Sequence, residues 1–209
     1  MAETIHVMSR NEAIVAIGDG KLDAFHVVSI NGNDQVPPPI FSRFGISFSA
    51  THFDDVPRDL DFGVTGYKAV TESHVGEILS LFSSPPNHHE DRNVIIHCSA
   101  GYSRSSGLAL AIFAQNNMRN CWKDESKDCD RAQLALNSLR DLRLSIKKTL
   151  DMNLRKNPKV LPNVRIVWYA DQILGYNYHL LNEYVCEYEI SDVWQLLGEP
   201  EPESWNELS

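Results

Sequence analysis

Residues 94–106, VIIHCSAGYSRSS, constrain the chain more than any other stretch. Val94, Ile95, Ile96 and His97 make a run too short for a buried helix and without the polar alternation of a half-exposed strand. Such a run describes a strand covered on both faces, in the middle of an α/β sheet. The small residues after it make a turn, and from about Ser103 the recurrence of Leu108, Leu110, Ile112 and Phe113 predicts a helix. A buried strand turning directly into a helix is the unit of a parallel layered fold. Open sheets of that kind bind ligands at the carboxyl ends of their strands.

The remaining segments fit the same architecture. Residues 5–9 (IHVMS) predict a short buried strand running into a modest helix from Asn11, and residues 26–30 (HVVSI), closed by NGND, predict a strand and turn. Three prolines make residues 36–45 a loop, since proline fixes φ and removes a donor. Residues 46–53 (ISFSATHF) alternate as a third strand that ends at Asp54 and Asp55. Thr71 is placed to cap a helix whose stripe is Val75, Ile78, Leu79 and Phe82. Residues 131–156 repeat Leu134, Leu139, Leu142, Ile146, Leu150 and Leu154 at helical period, and a last helix covers roughly 164–174, with Asn163 as its cap. Residues 83–92 and the polar stretch 116–130 are read as a surface loop and an insertion. The expectation is an α/β fold with a mainly parallel central sheet flanked by helices. One domain covers residues 1–190 and an acidic tail covers 191–209. The last eleven residues carry four glutamates and no basic residue, which predicts mobility.

A chain of 209 residues that is 43% hydrophobic can bury a core without covalent staples, so its four cysteines need not be structural. A net charge of −9 argues against nucleic-acid partners and against an anionic membrane surface. No apolar stretch approaches the ~18 residues of a membrane span. The start, MAETIHVMSRNE, lacks the basic-then-apolar pattern of a secretory signal, so the expected setting is cytoplasmic and reducing. No Cys-x2-Cys pair exists and no histidine lies near Cys121 or Cys129, so no metal is expected. Cys121, Cys129 and Cys186 are read as inert thiols, which leaves Cys98.

Cys98 is followed by five residues and then Arg104, with His97 before it, Gly101 in the middle and Ser105 after. By composition, that combination arises by chance roughly once in twenty thousand chains. Its chemistry is coherent. A turn of small residues entering a helix aims successive backbone N–H groups at one point, which is an anion site. Gly101 permits the conformation such a cradle needs. Arg104 supplies a planar fork for two phosphoryl oxygens, and the same positive field favours the thiolate, the nucleophilic form of Cys98. Ser105 is placed to hydrogen-bond the sulfur, and His97 to hold the loop.

HCSAGYSRSS resembles the signature loop of the cysteine-dependent protein tyrosine phosphatases, and the chain is most similar to their dual-specificity-like members and small bacterial relatives. The likeness runs from IHVMS through THFDDV, TESHVGEILSLF and the signature to LPNVRIVWYADQILG, with residues 118–156 and the tail least matched. The low-molecular-weight branch is not close kin, because its cysteine lies near the N-terminus. The resemblance implies hydrolysis of a phosphate monoester, phosphotyrosine in a protein or peptide above all, without cofactor. The attacking group is Cys98, the oxyanion is bound by Ser99, Ala100, Gly101, Tyr102, Ser103 and Arg104, and Ser105 assists the leaving sulfur. It also implies an aspartate acid upstream. Asp54, Asp55, Asp59 and Asp61 are the candidates, with Asp55 first by position at the strand end and Asp61 second by spacing. Where the family has Arg-Pro before Pro-Asn, this chain has Asn157-Pro158 before Pro162-Asn163. The uncharged loop disfavours a phosphoinositide headgroup. The alternatives are a phosphoprotein-binding module without turnover, a phosphatase of a nucleotide, RNA or inositol ester, and a sulfur-transfer enzyme using a Cys98 persulfide.

Overall fold

The computed structural model describes residues 4–20, 24–32, 47–54, 68–83, 93–123, 129–151 and 160–207. Its strands are β1 (Thr4–Ser9), β2 (Ala24–Asn31), β3 (Ser47–His52) and β4 (Asn93–Cys98). They form one sheet in the order β1-β4-β2-β3, with every pairing parallel. The expected α/β class with a parallel central sheet is the fold observed. β4 lies between β1 and β2, which is why residues 94–97 lack alternation: each face of an inner strand is covered.

Seven α-helices follow from the described residues: α1 (Arg10–Gly18), α2 (Glu72–Leu81), α3 (Arg104–Trp122), α4 (Arg131–Asp151), α5 (Val164–Leu174), α6 (His179–Tyr188) and α7 (Val193–Leu197). A 3-10 turn covers Glu203–Glu207. Side chains alternate across a strand, so the sheet feeds two cores. Met8, Val27 and Ile95 face α1, meeting Ala13, Ala16 and Ile17. Ile5, Val7, Val28, Ile30, Val94 and Ile96 face the opposite side, in the larger core built with the other helices. The same alternation sends His97 toward α1 and Cys98 toward the larger core.

Local chemistry sets the helix ends. Ser9 and Glu12 form a capping box at α1, and Thr71 and His74 do the same at α2, with Val75, Ile78 and Leu79 buried as the stripe predicts. Asn163 Oδ1 accepts from the N–H groups of Arg165 (3.1 Å) and Ile166 (3.2 Å), and Gly175 closes α5 at φ 67°. α4 lays Ala135, Leu139 and Leu142 on the core, and the Ser145 hydroxyl donates to the Ile5 carbonyl on the outer side of β1. The helix expected over 131–156 is present to Asp151. Residues 152–156, and the proline loop at 36–45, lie outside the described residues.

Three expectations are corrected. Residues 116–122 are not a loop but the last two turns of α3. Their polar side chains bond between elements: Asn117 Nδ2 donates to Ser138 and Asp141, and Arg119 donates to the Phe82 carbonyl. Over its described residues the C-terminal segment packs on the domain rather than standing off it as a separate tail. Val193, Trp194 and Leu197 are buried, and the Trp205 ring packs edge-on against Trp194 at 5.0 Å. Two tryptophans supply anchoring that a run of glutamates conceals. Finally, Cys121 and Cys129 are not free thiols. The continuation of α3 brings their Cα atoms to 6.0 Å and the two are joined by a disulfide, while Cys98 and Cys186 are free.

Candidate active site

The parallel sheet brings the ends of β1, β2, β3 and β4 to one edge. Residues 99–103 leave β4 there and enter α3. Cys98 is 2% exposed and its Sγ accepts the Gly101 N–H at 3.1 Å, while the Ser105 hydroxyl stands 3.4 Å away. Gly101 has φ 75°, a left-handed conformation that a side chain would strain. Ser99, Ala100 and Tyr102 face solvent, Ser103 is half-buried, and Ser105 is fully buried.

Arg104 is buried at 7% exposure. It is tethered twice: Nη1 donates to the Phe53 carbonyl at 2.9 Å, and Nη2 donates to Ser99 Oγ at 3.2 Å. The guanidinium therefore spans from the end of β3 to the loop. Two of its five N–H groups serve as tethers, and Nε has no hydrogen-bond partner among the described residues.

His97 is 1% exposed, and burial, reinforced by the nearby Arg10 charge, lowers its pKa to about 4. It is neutral at pH 7 and lies on the α1 side of the sheet. Asp54 is fastened to Lys68: its N–H donates to the Lys68 carbonyl at 2.6 Å and its carboxylate accepts the Lys68 N–H at 2.8 Å. Asp55, Asp59 and Asp61 lie outside the described residues.

Sequence reasoning missed what holds the loop from behind. The Ser106 hydroxyl lies 2.7 Å from the Tyr102 carbonyl and 2.9 Å from that of Ser103. The Leu161 N–H donates to the Tyr102 carbonyl and the Asn163 N–H to the Ser103 carbonyl, each at 3.0 Å. Residues 161–163 thus form a strap across the outer side of the loop. The signal was present in Ser106, the second serine after Arg104, and in a Pro-Asn pair opening α5. What single-chain reading lacked was the proximity of α5 to α3. A separate cleft of about 570 Å³ lies between Asp171, Gln172, Tyr178, His179 and Ser204. Its acid is already engaged: Asp171 accepts N–H groups of Tyr178 (2.7 Å) and Leu181 (3.1 Å), and burial raises its pKa to about 6. Among the described residues no cluster of His, Cys, Asp or Glu could hold a metal, and no helix is long and apolar enough to cross a membrane.

No family model and no curated protein matches the sequence. Among solved structures, the chain is similar to the Yvh1 phosphatase domain from Chaetomium thermophilum, at 15% identity and TM-score 0.47 over 74% of this chain and 90% of that one. It is similar also to human DUSP28, at 12% identity and TM-score 0.41 over 90% and 95% of the two chains. A third is OH1 from the Orf virus, a tyrosine phosphatase with triple substrate specificity, at 15% identity and TM-score 0.43 over 88% and 84%. Likenesses this distant leave the function to be argued from the side chains themselves.

Proposed function

We propose that the protein is a cysteine-dependent phosphatase of phosphate monoesters, with phosphotyrosine proteins as its leading substrates. The observation that carries this reading is the joint placement of Cys98, Ser105 and a tethered, buried Arg104 around one short turn at the carboxyl end of the sheet. A hydrolase of this type needs a nucleophile, a preorganised oxyanion cradle and a donor to the departing sulfur. Each has a candidate here.

In this mechanism Cys98 attacks phosphorus in line, forming an S–P bond as the ester P–O bond breaks. The guanidinium hydrogens not used as tethers, together with the loop N–H groups, hold the equatorial oxygens. Asp55 protonates the departing oxygen, then takes a proton from the water that attacks the phosphocysteine and releases the sulfur, to which Ser105 donates. Two hydrogen bonds join Asp54 to Lys68, and one of them occupies the Asp54 carboxylate with the Lys68 N–H, which favours Asp55 over Asp54 for this role. No step requires a metal or organic cofactor.

Turnover of p-nitrophenyl phosphate tests the reading. Cys98→Ser is expected to abolish turnover while retaining affinity for phosphate analogues, and Asp55→Asn to slow it by about 10²-fold or more. Full activity in Cys98→Ser refutes the mechanism. Slowing in Asp61→Asn but not in Asp55→Asn reassigns the acid.

A further inference from the structure

The strap behind the loop is itself held. Its middle residue, Pro162, is buried, and its carbonyl accepts the hydroxyl of Tyr184 at 2.8 Å. Tyr184 comes from α6 and is 1% exposed. The Pro162 carbonyl and the Asn163 N–H belong to one peptide unit, which is planar and trans, so the two groups point in opposite directions. The Asn163 N–H donates to Ser103. A continuous chain therefore runs from the Tyr184 hydroxyl through the 162–163 peptide to the Ser103 carbonyl.

The same planarity carries the effect one peptide further. Fixing the Tyr102 and Ser103 carbonyls on the outer side of the loop fixes the N–H groups of Ser103 and Arg104 on its inner side. Those two are among the donors on which an oxyanion would rest. Hydrogen bonds linked in series also polarise one another, so the far donor is strengthened as well as aimed.

We propose that Tyr184 is a positioning residue for the oxyanion cradle, acting through the 162–163 peptide; this rests on the phosphatase reading of the Cys98 site. Burial keeps the Tyr184 hydroxyl protonated, raising its pKa well above the usual tyrosine range, so it remains a donor at all working pH values. Removing it leaves the Pro162 carbonyl without that donor, so the strap is held only by its bonds to the loop and by the Asn163 cap.

The fold supplies its own control. Tyr176 is also fully buried, and its hydroxyl donates to the Ala114 carbonyl at 2.9 Å, a bond of the same kind that does not touch the strap. Tyr184→Phe and Tyr176→Phe each remove one buried hydroxyl and preserve ring volume. They are compared in urea melts, in p-nitrophenyl phosphate turnover, and in tungstate binding by calorimetry. Similar losses of stability are expected from both. Tyr184→Phe alone is expected to lower kcat by about tenfold, and to weaken tungstate binding severalfold, because only it loosens the donors that recognise the oxyanion.

Equal turnover and equal tungstate affinity in the two variants overturn the assignment of Tyr184. If wild type turns over no aryl phosphate but binds tungstate, the phosphatase reading fails and the tungstate comparison still decides the role of Tyr184. If wild type binds no tungstate either, there is no cradle and both fall.

Discussion

Gly107 sits in the first turns of α3, where it meets α5, and replacing it with alanine sets two effects of opposite sign against each other. Alanine is the better helix former by about 1 kcal/mol. A Cβ at this position, however, would lie 3.2 Å from the Asn163 backbone nitrogen and 3.2 Å from both Cβ and Cδ1 of Ile166. Ordinary contacts are near 3.5–4 Å, so α5 must retreat by a few tenths of an ångström. One of these three atoms, the Asn163 nitrogen, is backbone and cannot swing aside. It is also the nitrogen whose N–H holds the Ser103 carbonyl at 3.0 Å. Overpacking of this kind costs about 1–3 kcal/mol, so the net expected for Gly107→Ala is a destabilisation of about 1 kcal/mol. Turnover should fall further than stability does, since the displaced atom belongs to the strap. Gly76, in α2, is the internal reference. A Cβ there finds its nearest neighbour, Ile173 Cδ1, at 4.0 Å, so Gly76→Ala should stabilise by about 0.5–1 kcal/mol. Urea denaturation of both variants, with p-nitrophenyl phosphate kinetics on the same samples, reads the two signs directly. If Gly107→Ala is as stable and as active as Gly76→Ala, the α3–α5 contact opens without cost and the rigid strap is wrong.

Two further outcomes follow from burial and from cross-linking. His97, with its pKa lowered to about 4, must take up a proton on acid unfolding. The stability it contributes is present above its ordinary pKa and is lost as pH falls from about 6.5 to about 4, a span worth about 3 kcal/mol. Asp171, raised to about 6, acts with the opposite sign over part of the same range. The measurement is therefore the slope of unfolding free energy against pH in wild type beside His97→Gln. The variant should show the flatter acid limb, and an unchanged slope would remove His97 from the account. Reducing the Cys121–Cys129 disulfide releases a loop of sequence separation 8, which lowers stability by about 2.5 kcal/mol on chain entropy. Denaturation with and without dithiothreitol checks this, and a Cys121→Ser/Cys129→Ser protein that still responds to reductant would contradict it.

The elements legible in the sequence were those whose signal is local. β4 announced itself through an unbroken apolar run, α2 and α5 through Thr71 and Asn163 as caps, and the cradle through the small residues between Cys98 and Arg104. What escaped was set by partners distant in sequence. Residues 116–122 read as loop because Asn117 and Arg119 are polar, yet their polarity is spent on bonds to α4 and to Phe82. The acidic end hid Trp194 and Trp205, because net charge speaks of solvation and not of two rings that can fold back. The disulfide required knowing that α3 continues far enough to carry Cys121 toward Cys129. The tethering of Arg104 by Phe53 required knowing that the chain leaving β3 passes beside the loop, although β2 lies between β3 and β4.

That strand order has a consequence for how the molecule comes into being. Of the four described strands, β4 is synthesised last but occupies the gap between β1 and β2, with Ser9 opposite Cys98 in the register. Until residues 93–98 arrive, β1 and β2 have no shared neighbour, and each presents a bare backbone edge to whatever else is in solution. Closing such distant pairings is slow, so the emerging chain depends on a long wait without misassociation. The strand that completes the sheet is the one that ends in the reactive sulfur. A chain stopped before residue 93 would therefore be adhesive at its open strand edges and also inert, because it lacks Cys98 altogether.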